Sequence, residues 1–80
     1  MKITELVQNE TYSLNEVVFV SLYKNKTKTM LDVGAIVIFL IAESNLFKFK
    51  TLIQRPGDKK PKWYFFFIEL IELDKLEKIT

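Results

Sequence analysis

The stretch LFKFKTLIQRPGDKKPKWYFFF, residues 46–67, carries the residue types in this chain best suited to chemistry. Single-stranded nucleic acid is held by cations that follow the phosphates and by aromatic rings that stack on the bases. This stretch has both. Lys48 and Lys50 alternate with Phe47 and Phe49, Arg55, Lys59, Lys60 and Lys62 surround a turn, and five aromatic residues follow from Trp63. The candidate phosphate contacts are Lys48, Lys50, Arg55, Lys59, Lys60 and Lys62. The candidate stacking residues are Trp63, Tyr64 and Phe66.

Strand alternation places Trp63, Phe65 and Phe67 on one face of this stretch and Tyr64, Phe66 and Ile68 on the other. One set must face a core, and the sequence does not say which. A plain structural reading competes with the binding one. An aromatic stripe on a strand is ordinarily core, and lysines opposite phenylalanines are an ordinary solvent face that also protects a sheet edge.

Charge follows the same division. The net charge is +2, too small to announce a nucleic-acid ligand. It is, however, concentrated in two places. Residues 24–28, KNKTK, carry three lysines and no acid, and residues 48–62 carry six cations against Asp58 alone. Such clustering permits binding to an anionic polymer. The KNKTK tip could reach a phosphate backbone, although basic hairpin tips are more often simply solvated.

Other chemistry lacks its residues. The chain contains neither histidine nor cysteine, so the usual neutral-pH base, the thiolate nucleophile and the common zinc ligands are all missing. Ser13, Ser21 and Ser44 have no histidine to activate them. No GxxxxGK[ST] or GxGxxG loop is present. Glu69 and Glu72 form the one carboxylate pair on an aromatic-rich element, and a solvated face is their ordinary role. A non-enzymatic protein without cofactor or metal is expected.

Eighty residues, 49% hydrophobic and 14% aromatic, predict one packed domain spanning residues 1–80. The longest uncharged apolar run, VGAIVIFLIA at 33–42, falls far short of the ~20 residues a spanning helix needs. Met1 to Glu10 carries Lys2, Glu5 and Glu10 and no apolar signal-peptide core. A cytoplasmic location without membrane attachment is expected. The C-terminal segment would be repelled by an anionic leaflet through Glu69, Glu72, Asp74 and Glu77.

The elements that must position the hairpin are mostly strands. VVFVSLY (17–23) buries Val18, Val20 and Leu22 on one face. VGAIVIFLIA (33–42) is apolar on both faces. LFKFKTLI (46–53) alternates, and KWYFFFIELIEL (62–73) begins as a strand. Ser44 and Asn45 predict a tight turn, and PGDKKP (56–61) a second one with Gly57 at positive φ. ITELVQN (3–9) fits a strand or a helical turn. LIELDKLEKI (70–79) has apolar residues at 70, 73, 76 and 79 and predicts a short amphipathic helix.

The fold expected is mainly β: a small antiparallel five-stranded barrel, SH3-like or OB-type, with a short C-terminal helix as an option. YSLNE at 12–16, followed by a strand in a chain of this length, resembles the small OB-fold single-stranded-DNA-binding proteins of filamentous phages. The likeness covers five residues, and the rest of the chain departs from that pattern. It implies a nucleic-acid ligand.

The two-faced strand 33–42 needs cover on both sides. Val33, Ala35, Val37, Phe39 and Ile41 are therefore the expected protein interface, and a homodimer is the expected assembly. Two functions follow. The first is a binding module for single-stranded DNA or RNA. The alternative is a phage- or plasmid-encoded module, a viral protein by origin, that binds or inhibits a host protein. A residue usage rich in Lys, Ile, Phe and Asn suits the AT-rich genomes of such elements.

Overall fold

The computed structural model describes residues 6–22, 28–54 and 56–79. Among these residues seven strands run in the order β1 (Thr11–Leu14), β2 (Val18–Ser21), β3 (Lys28–Leu31), β4 (Ile36–Glu43), β5 (Leu46–Ile53), β6 (Lys62–Glu69) and β7 (Leu76–Lys78). A 3-10 helix, Leu70–Lys75, links the last two. The strands form a five-stranded antiparallel sheet, ordered β6-β5-β4-β1-β7, and a two-stranded ribbon of β2 and β3.

The fold is mainly β, as expected, but sheet and ribbon do not close into a barrel among the described residues. Among the described residues one isolated backbone bridge, Leu22 to Phe66, joins them. The ribbon instead lies across one face of the sheet and seals the core. Val18, Val20, Leu22 and Leu31 come from the ribbon. Tyr12, Leu14, Val37, Phe39, Phe47, Phe49, Phe66, Ile68 and Leu76 come from the sheet, and Leu73 from the 3-10 helix. Phe49 sits at the middle of this layer, with ring centroids 5.4 Å from Phe39 and 6.1 Å from Phe66. Tyr12 is buried too, and its hydroxyl accepts a hydrogen bond of 2.8 Å from the Val7 amide.

Several expectations match. β5 has the predicted bounds, and Ser44–Asn45 makes the tight turn before it, with Ser44 at φ +54°. The second turn has Gly57 at φ +92°, the left-handed conformation that glycine adopts without steric cost. Others need correction. Residues 33–35 are not strand: Gly34, at φ +88°, turns the chain there, and β4 starts at Ile36. The predicted helix over 70–79 is a six-residue 3-10 helix followed by β7. The pull that stops it is pairing, because Leu76 to Lys78 dock on β1 opposite Tyr12–Leu14. Asn15 ties the same corner, its amide donating to the Lys75 carbonyl at 2.8 Å. Lys75 donates to Glu72, which holds the lysine ammonium above its ordinary pKa; a surface pair of this kind adds little stability. For the stretch 3–9, residues 6–9 are not strand, and 3–5 lie outside the described residues.

The expected protein interface is also corrected. Val37 and Phe39 are core residues, buried in the cluster that sheet and ribbon share. Val33 and Ala35 belong to the turn. Ile41 does not share the face of Phe39, because β4 bulges. Phe39 pairs with Phe49 and Ile41 with the next residue, Lys48, so Leu40 is an extra residue between them. A bulge resets the alternation, and Ile41 moves to the opposite face. That outer face carries Ile36 and Ile41 in the open and Ile38 and Leu40 half-buried.

Candidate nucleic-acid interface

The face of the sheet that turns away from the ribbon is uncovered. Its composition follows from the β5–β6 ladder, in which Lys48 pairs with Phe67, Lys50 with Phe65 and Leu52 with Trp63. Opposite residues in an antiparallel pair share a face. Phe47 and Phe49 occupy the core, so Lys48 and Lys50 point outward and bring Trp63, Phe65 and Phe67 with them. The lysine ammonium groups lie over the rings. Lys50 Nζ is 4.8 Å from the Trp63 centroid, and Lys48 Nζ is 5.3 Å from that of Phe65. Each such contact is worth about 0.5–1 kcal/mol at an exposed site. It also holds the cation level with the aromatic surface, where a phosphate and a stacked ring would both be within reach. Trp63 is 50% exposed and Phe65 36%.

The expected stacking set is thus partly corrected. Phe66 is 0% exposed and packs on Phe49, so it cannot stack on a ligand. Tyr64 faces the same inner side, half-buried against the core, and its hydroxyl donates to Asp58 Oδ2 at 3.1 Å. Phe65 and Phe67 take their places on the outer face. A signal for this was present. An eight-residue connection, 54–61, between paired ends Ile53 and Lys62 makes odd-numbered residues of β6 share the face of even-numbered residues of β5.

The basic turn stands at one end of this face. Lys59 and Lys60 are exposed, and Lys62 is ion-paired with Asp58 at 3.5 Å. Asp58 organises the turn: besides Tyr64 and Lys62 it engages Gln54, whose Nε2 donates to its carbonyl at 3.2 Å. Arg55, and residues 24–27 of KNKTK, lie outside the described residues; Lys28 opens β3 on the ribbon. The other end of the outer face carries acids, with Glu43 and Glu69 paired on either side of Leu46. The face is therefore polarised, with Lys48 and Lys50 along it, the basic turn at one end and Glu43 and Glu69 at the other.

Replacing Asp58 with alanine separates the turn's two roles. Loss of the Tyr64 and Lys62 contacts is expected to lower stability by about 1–2 kcal/mol. Removal of the single acid in the cluster is expected to raise affinity for a single-stranded oligonucleotide. Urea unfolding and oligonucleotide titration of Asp58→Ala check both; reduced affinity at undiminished stability would contradict the assignment.

No three acidic, histidine or cysteine side chains converge on a possible metal position among the described residues. No helix among them is long and apolar enough to cross a membrane. Comparison with protein-family models, curated proteins and solved structures finds no match for this chain.

Proposed function

We propose that this protein is a non-enzymatic module that binds single-stranded DNA or RNA on the outer face of its five-stranded sheet. The architecture is read as an SH3-like or OB-type barrel left open beside the Leu22–Phe66 bridge. One observation carries the proposal: Trp63, Phe65 and Phe67 form an aromatic row on the outer face, Trp63 and Phe65 exposed and Phe67 half-buried, with Lys50 over Trp63 and Lys48 over Phe65. Bases stack on the row, each contributing about 1–3 kcal/mol. The lysines and the turn cations Lys59, Lys60 and Lys62 neutralise phosphates.

The chemistry of the face argues against an apolar partner there. Covering it with a second hydrophobic sheet would desolvate two ammonium groups without supplying a counter-charge, at a cost of several kcal/mol per ion. A polyanion supplies that charge. Titration with oligo(dT) and oligo(U), followed by Trp63 fluorescence at two salt concentrations, tests the reading. Salt-sensitive quenching is expected. Unchanged fluorescence at low salt with micromolar oligonucleotide would refute it.

The alternative, a phage- or plasmid-encoded module that binds a host protein, draws on different surfaces. Phe19 and Met30 pair on the solvent side of the ribbon, Phe19 at 71% exposure, and Leu70 and Ile71 stand out from the 3-10 helix. A homodimer through one of these patches belongs to the same reading. Both predict association with weak salt dependence.

A further inference from the structure

The sheet has a split in it. The β4–β5 ladder ends at Ile38↔Lys50, although both strands continue. On either side pairing goes on: β1 still pairs with Ile36 and Val37, and β6 pairs with β5 as far as Ile53. The separation is thus confined to the gap between Ile36–Val37 and Thr51–Ile53. One side chain spans it, the Thr51 hydroxyl donating to the Ile36 carbonyl at 2.7 Å. The gap opens into a cavity of about 390 Å³ whose walls include Ala35, Ile36, Ile38, Thr51, Leu52 and Trp63.

From this we infer that the split is a pocket for one unpaired base of the bound strand, held with its face against Trp63. The inference rests on the proposed function and deepens it. Three features define the occupant. The walls are aliphatic and aromatic, which suits a flat apolar-faced group of ligand size. The β4–β5 ladder does not extend over Ile36–Val37 and Thr51–Ile53, and main-chain donors and acceptors at the end of a ladder favour a group with a hydrogen-bonding edge. Cations stand on the Trp63 side, with Lys50 over the Trp63 ring and Lys59, Lys60 and Lys62 at the adjoining turn, so the occupant is attached to negative charge. A nucleobase within a sugar-phosphate chain meets all three requirements. A paired base does not, because its edge is engaged and its removal from a duplex costs a few kcal/mol. The pocket therefore makes the protein selective for single strands.

The test uses an oligo(dT) of about 12 nucleotides, within the span of one such face, a duplex of the same length, an abasic strand and thymidine monophosphate. Ile36→Trp and Leu52→Trp fill the split from exposed positions, and Ile71→Ala, on the exposed 3-10 helix, is the control; thermal unfolding confirms that each variant is folded. Wild type is expected to prefer oligo(dT) to duplex and to abasic strand by about 10-fold or more. Both tryptophan variants are expected to lose about 10-fold in oligo(dT) affinity, one stacked base's worth, with Ile71→Ala near wild type. Weak monophosphate binding that competes with oligo(dT) and is abolished by the tryptophan variants would locate the base in the pocket. If the folded tryptophan variants bind oligo(dT) as wild type does, the pocket inference is overturned and the aromatic row alone carries binding. If wild type binds no oligonucleotide, the proposed function and this inference fall together.

Discussion

Charge reversal at both outer-face lysines, Lys48→Glu with Lys50→Glu, is expected to reduce single-strand affinity by about 100-fold at low salt, each lost charge-assisted contact contributing about 1.5 kcal/mol. The dependence of log affinity on log salt should flatten by about 1.4, at roughly 0.7 per phosphate contact on a single strand. The fold should survive. These side chains lie on the face turned away from the core, and the two cation–π contacts they lose are worth about 0.5–1 kcal/mol each. Lys28→Glu with Lys78→Glu is the matched control: the charge change is the same, on the ribbon and on β7. Oligonucleotide titration of the two double variants decides the matter. Equal losses would show that net charge, rather than this face, governs binding.

Phe49→Ala is the substitution with the largest expected effect on stability. The ring is fully buried between Phe39 and Phe66. Its truncation removes apolar burial and leaves a cavity under the ribbon, at a cost of about 3–5 kcal/mol. A chain of 80 residues has a total stability of about 4–12 kcal/mol at the usual value per residue. The variant is therefore expected to be largely unfolded or close to it. Phe65→Ala, one residue from Phe49's partner Phe66 and on the outer face, should cost about 1 kcal/mol, chiefly its contact with Lys48. Urea unfolding of the pair measures the difference. Coincident midpoints would contradict the inner and outer assignment, and a lower midpoint for Phe65→Ala would reverse it.

The long elements were legible because their patterns are unambiguous. LFKFKTLI admits one phase, with phenylalanines inward and lysines outward. The proline-glycine turn after it is forced by residue type, and Val18, Val20 and Leu22 share the buried face of β2 as their spacing requires. The misses have physical causes. β1, β3 and β7 are three or four residues long, too short to show periodicity, and are strands because partners complete them. The apolar spacing of 70, 73, 76 and 79 is genuine, yet Leu76 gains more from pairing beside Leu14 than from another helical turn. On β4, one extra residue at Leu40 turned Ile41 outward, and nothing in an unbroken apolar run marks where a bulge falls.

At the candidate site, the ingredients were visible and their facing was not. Lys48, Lys50 and Trp63 stand together on the outer face. Tyr64 and Phe66, named beside them, belong to the inner one, since in a run of five aromatics every residue looks alike until the register with β5 is fixed. The split beside Trp63 left no mark on the sequence, because it is a property of how two strands diverge.

Amide-resolved NMR during titration with oligo(dT) tests the central claim most directly, since it reports where on the molecule the ligand sits. The account predicts shifts concentrated on Lys48, Lys50, Leu52, Trp63, Phe65 and Phe67 and on the turn at Lys59–Lys62, with β2 and β3 undisturbed and the shifts reversed by added salt. Shifts confined to the Phe19–Met30 ribbon or to the 3-10 helix, with the outer face silent, would contradict it.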